Sequence, residues 1–285
     1  MSTLRRRMEE ELRLRGFSEK TVTAYLGAVR RFAKHFRASP ETLGNEQVRS
    51  YLLDLIERRH CSWSTVNQAS CGLKFFYRHV LGRPLEVDAV PFQKRKRPLP
   101  TVLTEAEVTR LLTAPLSLKM RTILMTLYSA ALRLREGTRL RPTDVDSGAM
   151  TIRIRLAKGG RDRTVMLSVQ LLRALREYWR VYHPGPWLFY GKTKARPICD
   201  RTVQKAVRKA AEEAGLRKRV TPHTLRHSCA THLLDRGTNV RYIQELLGHK
   251  SIQTTLIYTR VNPQRLAGVV SPLDRLPLDQ ALDRF

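Results

Sequence analysis

His223-Thr224-Leu225-Arg226-His227 places two imidazoles and a guanidinium within five residues, at the head of a segment that reads as a helix from Pro222 to Asp235. Proline suits the first turn of that helix, and Gly237 supplies its stop. Downstream, Val240 to Leu247 reads as a short helix ending at Leu247-Gly248-His249, and Ser251 to Tyr258 as another. Upstream the period changes. Met150, Ile152 and Ile154 alternate with Thr151, Arg153 and Arg155, and Thr164 to Leu167 returns as a second strand. Lys158-Gly159-Gly160-Arg161 lies between them, so the segment reads as a β-hairpin with cations at its tip. Before it stand a buried-looking helix through Met120, Ile123, Leu124, Leu127, Tyr128 and Ala131, and the stretch Ala131-Leu132-Arg133-Leu134-Arg135-Glu136. Thr104 and Glu107 form a capping-box pattern that opens a helix through Val108, Leu111 and Leu112. Further helices are expected at about Val169 to Val181 and Arg201 to Ala214, the second stopped by Gly215. This half of the chain is therefore mixed, helix-rich with one small antiparallel sheet.

The residue types gathered here suit a phosphate. Guanidinium forks match phosphate oxygens bidentately, and lysine and histidine add donors. A tyrosine can attack phosphorus and hold the product as a phosphodiester. No Asp/Glu cluster with metal-ligand spacing accompanies them, so two-metal hydrolysis is disfavoured and no metal or cofactor is expected. Glu136, three residues after Arg133, is expected on the same helix face, where it orients an arginine or the helix. Gly137, read as lying inside that helix, is expected to loosen it by ~1 kcal/mol. His227 is read as capping or packing beside the site.

The first ~90 residues read as helices only. Ser18 is the expected N-cap of a helix through Val22, Tyr25, Leu26, Val29, Phe32, Ala33 and Phe36, a unit ended by Pro40. Val48, Tyr51, Leu52, Leu55 and Ile56 mark the next. Ser64 opens a third, with Val66, Leu73, Phe76 and Tyr77. Arg30, Arg31, Lys34, Arg58, Arg59, Lys74 and Arg78 fall between these apolar positions and are read as DNA contacts. Pro91 to Pro100 then holds Lys94, Arg95, Lys96 and Arg97 between prolines, an extended basic linker suited to a phosphate backbone.

The whole chain agrees. Its 285 residues fit two domains at ~150 residues each. Lys plus Arg total 53 against 25 Asp plus Glu, a net charge of +28 whose default partner is nucleic acid. A hydrophobic content of 42% excludes a purely disordered basic tail. No apolar run is long enough for a membrane span, and Met1 to Arg15 has charge but no apolar region of the signal-peptide kind. Cys61, Cys71, Cys199 and Cys229 form no CxxC pair and read as reduced, mostly buried thiols, consistent with a cytoplasmic, nucleoid-associated protein.

The ordered set Arg133, Lys158, His223 with Arg226, His249 and Tyr258 resembles that of the tyrosine recombinase (phage integrase) family, and most closely its Xer-like and integron or transposon integrases. The resemblance covers about residues 8 to 262. It implies a mainly α, multidomain (α+β) protein: a helical, SAM-like core-binding domain at 1–90, the linker at 91–100, a catalytic domain at 101–265 and a tail at 266–285. It also implies roles. Tyr258 attacks the scissile phosphate, leaving a 3′-phosphotyrosine and a free 5′-hydroxyl. Arg133, Arg226 and His249 hold the non-bridging oxygens, Lys158 protonates the departing 5′-oxygen, and His223 manages the tyrosine proton. The implied partner is double-stranded DNA bound by a homotetramer; the tail carries Leu266, Val269, Val270 and Leu273, and from about Gly268 onward it is expected to pack on a neighbouring protomer. The implied reaction is site-specific cutting and rejoining of DNA through a Holliday junction, without a small-molecule substrate or membrane. A catalytically impaired DNA-binding accessory protein and a type IB topoisomerase-like activity are the alternatives. The family usually carries Gly at the Ala131 position, a small residue at Arg135 and an apolar residue at Gly137.

Overall fold

The computed structural model describes residues 3–83, 99–155, 162–249 and 251–260, with only the backbone described at residues 259 and 260. The linker cations Lys94 to Arg97, the hairpin tip with Lys158, and the tail from Leu266 lie outside the described residues. The chain divides into two units, Met1–Arg97 and Pro98–Phe285.

The first unit is helical throughout its described residues: α1 (Thr3–Leu14), α2 (Glu19–Phe36), α3 (Asn45–Glu57), α4 (Trp63–Phe75) and a π-helical turn, Phe76–Val80. Met8, Leu12, Phe32, Val48, Tyr51, Leu73 and Phe76 form its core. Ser18 caps α2 as expected, accepting from the Thr21 N–H. The helix ends at Phe36 rather than at Pro40, because Arg37 turns left-handed (φ 51°) and closes the last turn onto Ala33. The cap of α4 is Ser62, two residues ahead of the expected Ser64. Its hydroxyl accepts from the Thr65 N–H, so Ser64 falls inside the first turn. Gly72 packs closely against α2: a Cβ there would stand 3.1 Å from Ala28 Cβ and 3.3 Å from Tyr25 Cα. Arg30, Arg31, Lys34, Arg58, Arg59 and Arg78 are exposed, and Arg59 pairs with Asp54 at 2.7 Å.

The second unit contains α5 (Glu105–Thr113), α6 (Leu118–Ser129), α7 (Leu134–Thr138), β1 (Val145–Asp146), β2 (Thr151–Ile154), β3 (Arg163–Met166), α8 (Val169–Tyr182), α9 (Asp200–Glu213), α10 (Pro222–Asp235) and α11 (Val240–Leu247). The capping box of α5 forms in both directions: Thr104 N–H to Glu107 Oε2 at 2.8 Å, and Glu107 N–H to Thr104 Oγ1 at 3.2 Å. The sheet is antiparallel in the order β1-β2-β3, with Ile152 opposite Val165 and Ile154 opposite Arg163. Ile152, Ile154 and Val165 turn into the core. β1 was not expected, since two residues carry no alternation to read. α10 packs on α6, and the buried Ser228 hydroxyl accepts the Leu103 N–H at 2.9 Å.

Three local expectations change. Arg133 is not within a helix: it is the N-cap of α7, and the Glu136 carboxylate accepts its backbone N–H at 2.8 Å. The segment expected as a helix over Ser251 to Tyr258 is two 3₁₀ turns, Ile252–Thr254 and Leu256–Arg260, closed by i→i+3 bonds from Thr255 and Tyr258. Of the four free cysteines only Cys229 is buried, and Cys199 is exposed ahead of α9. No helix among the described residues is long and apolar enough to cross a membrane.

Candidate active site

Ala131 sets up the site. It ends the turn after α6 in the left-handed region, φ 49°. That conformation costs a non-glycine residue about 1–2 kcal/mol. The turn frees the Ala131 carbonyl, which accepts from Arg226 Nη1 at 2.7 Å. Arg226, on α10, is buried, and its Nη2 donates to the carbonyl of Leu247 at the end of α11. One guanidinium thus ties together three separate pieces of chain. Gly248 follows in the left-handed region (φ 58°), and its carbonyl accepts from Arg133 Nη2 at 3.2 Å.

Glu136 lies between the arginines. It accepts from Arg133 Nη1 at 2.7 Å, and Arg226 Nη1 stands 3.7 Å away. Arg163, at the start of β3, grips the same carboxylate bidentately at 3.0 and 2.7 Å while its Nε donates to Leu246 O at 2.8 Å. Burial alone would raise the Glu136 pKa. The hydrogen bonds and charge of Arg163, with those of Arg133, outweigh it and bring the value to about 2. Arg163 was not among the expected site residues. Its only signal in the sequence was an arginine at an inward-facing strand position, where a buried cation needs an anion. Three guanidiniums against one carboxylate leave the cluster with a net charge of +2.

Three histidines border this cluster. His249 accepts from Arg226 Nη2 at 3.4 Å through Nε2, so its Nδ1–H donates to Thr255 Oγ1 at 2.9 Å. Burial, then the charges of Arg226 and Arg133, bring its pKa down to about 4. His223 keeps an exposed edge, and partial desolvation with the charges of Arg226 and Arg133 lowers its pKa. His227, one turn later on α10, is also brought down to about 4, by burial and then by His223 and Arg226. Its Nδ1 is 2.8 Å from the Tyr258 hydroxyl, so it does more than pack beside the site.

Tyr258 is 2% exposed, held by its N–H bond to Thr255 O at 3.0 Å. Burial raises its pKa, against the lowering effect of Arg226 and Arg133, so the phenol is protonated in the free protein. The described structure therefore brings Arg133, His223, Arg226, His249 and Tyr258 into one neighbourhood. Among the described residues no group of three or more His, Cys, Asp or Glu is arranged to hold a metal ion.

Comparison with known proteins matches both units. The phage integrase family model covers residues 101–265, and the phage integrase N-terminal SAM-like domain model covers residues 4–87. A putative integrase/recombinase, y4qK, of Sinorhizobium fredii is 41% identical over 97% of this chain and 90% of its own length. Tyrosine recombinase XerA of Pyrococcus horikoshii is 34% identical over 90% of this chain and 88% of its own length. The crystal structure of a XerA recombinase aligns with a TM-score of 0.55 at 28% identity, covering 94% of this chain and 97% of that one. A lambda integrase dimer bound to a core site aligns at 0.75 with 18% identity, over 93% and 96%, a likeness of fold.

Proposed function

The chain belongs to the phage integrase family and is a tyrosine-type site-specific DNA recombinase, and on that premise we propose that Tyr258 cuts DNA by attacking a phosphate seated on the Arg133–Arg226 cluster. The observation that carries this reading is the charge arithmetic beside the tyrosine. A phosphodiester brings one negative charge and a pentavalent phosphorane two, and the guanidinium cluster offers a net +2. Phosphoryl transfer is largely positioning and fixed positive charge, and here that charge is fixed in advance. Glu136 and Arg163 hold the two arginines in place without cancelling them. His249 adds an imidazole donor once a phosphate displaces Arg226 and the ring takes its Nε2–H tautomer, Nδ1 then accepting from the Thr255 hydroxyl.

The sequence of events is then as follows. The Tyr258 oxygen bonds to phosphorus, its proton passes to an imidazole of α10, and the bond to the 5′-oxygen breaks. Lys158, by its resemblance to the hairpin lysine of the family, protonates that oxygen. The 3′-phosphotyrosine conserves the bond energy, so a second 5′-hydroxyl can reverse the step on a new strand and generate a Holliday junction. Four protomers on two duplexes, exchanging strands in pairs, are the assembly this requires, and Lys94 to Arg97 supply positive charge to the phosphate backbone.

Cleavage is tested on a nicked duplex that traps the covalent adduct. Arg133→Ala and Arg226→Ala each lower adduct formation by roughly 10²-fold or more, as expected for loss of a donor aimed at developing charge. Adduct formation by the unaltered protein persists in excess chelator. A chelator-sensitive cleavage restored by Mg²⁺ would overturn the reading.

A further inference from the structure

We propose that His227, the second histidine of the His223-Thr224-Leu225-Arg226-His227 stretch, is the catalytic residue that takes the Tyr258 proton on cleavage and returns it on religation. The inference rests on the reading of Tyr258 as nucleophile and names its base. The Tyr258 hydroxyl lies 2.8 Å from His227 Nδ1, and the two rings are 5.6 Å apart at a tilt of 48°. A nucleophile and its base within hydrogen-bond reach is the arrangement that nucleophilic catalysis needs. His223 stands one turn earlier on α10, its ring centroid 6.4 Å from that of His227, with an edge open to solvent. That placement suits a donor to phosphate.

The surroundings keep His227 ready to accept. Facing it are His223 and Arg226 on its own helix, Tyr258 from the 3₁₀ turn, and His249 from the loop after α11. Burial and these neighbouring charges hold its pKa near 4, so the imidazole is neutral at physiological pH. The phenol, held protonated by burial, needs such a partner. The steps balance. As the tyrosine oxygen bonds to phosphorus, its proton moves to Nδ1 and the 5′-oxygen leaves with a proton from Lys158. On religation a 5′-hydroxyl gives its proton to Lys158 and expels the tyrosine oxygen, which recovers the proton from Nδ1.

The test uses the full chain and a nicked duplex recovered by the protein itself from a random-sequence DNA pool. Single-turnover adduct formation is followed from pH 5 to 9, with duplex affinity measured in parallel. The unaltered protein gives a rate that is flat across neutral pH. His227→Gln keeps duplex affinity, is slowed roughly 10²–10⁴-fold at pH 7, and gains about tenfold per pH unit as phenolate replaces the assisted phenol. Added imidazole restores cleavage to His227→Ala but not to His223→Ala. A His227→Gln rate within a few-fold of the unaltered protein with the same flat profile would overturn the proposal. So would imidazole rescue of the His223 variant alone. If the unaltered protein forms no adduct, the nucleophile reading itself has failed, and that outcome is separate from a defect confined to the variants.

Discussion

Glu136 sets one negative charge against three guanidiniums, and its titration separates charge from packing. Its folded pKa, about 2, lies below the ordinary value of 4.5. A depressed carboxylate contributes stability that is present above the unfolded pKa and lost as pH falls toward the folded one. The difference corresponds to roughly 3 kcal/mol, present above about pH 4.5 and lost toward pH 2. His227 and His249, also depressed, cost stability as pH falls from 6.5 toward 4, a higher window. Urea unfolding of Glu136→Gln against the unaltered protein therefore shows a gap of about 3–5 kcal/mol at pH 7, which narrows below pH 4.5. A gap independent of pH would mean that the carboxylate acts by shape alone.

Ala131 precedes Arg133 and Gly137 lies within the short helix that follows it; the fold accounts for the glycine but not for the alanine, which sits at a φ that favours glycine. A Cβ on Gly137 would fall 2.6 Å from Leu127 Cδ2, the end of a fully buried side chain that would have to shift to admit it. Gly137→Ala is expected to destabilise by about 1–3 kcal/mol through overpacking, although helix propensity alone predicts a gain of about 1. A raised melting temperature would contradict that. Ala131→Gly, relieving φ 49°, is expected to stabilise by about 1 kcal/mol without changing cleavage. The contrast shows what is readable at this scale. Amphipathic period and caps placed α2, α5, α10 and α11, because Ser18, Thr104 and Pro222 act within a single turn. The contacts of Gly137 with Leu127, of Arg163 with Glu136 and of His227 with Tyr258 were not legible. They join residues distant in sequence and depend on packing that no local pattern encodes. Arg133, His223, Arg226, His249 and Tyr258 could be singled out in the sequence because their types suit a phosphate, whereas Arg163 and His227 acquire their contacts only from where the chain folds.

Over the whole molecule, a charge of +28 makes binding to DNA a matter of counterion release. If ~10 phosphates are neutralised, the slope of log K against log salt approaches about −9. Replacing Lys94, Arg95, Lys96 and Arg97 by Ala is expected to flatten it by several units, measured by fluorescence anisotropy over a salt series. An unchanged slope would remove the linker from the backbone contacts. Truncation after Gln264 bears on assembly: single-site binding and half-site cleavage are expected to survive, while synapsis weakens and complete recombination is lost. Full recombination by the truncated protein would contradict a tail that docks on a neighbouring protomer.

One tyrosine, Tyr258, is proposed to form the covalent bond to DNA. The most direct measurement is mass-spectrometric mapping of the protein–DNA adduct trapped on a nicked duplex, after protease and nuclease digestion, beside Tyr258→Phe. A single nucleotide-bearing peptide is expected, modified at Tyr258 through a 3′-phosphate, with no denaturant-resistant adduct in the Phe variant, whose duplex affinity is unchanged. An adduct on any other residue, a 5′-linkage, or an adduct that survives in Tyr258→Phe would contradict it.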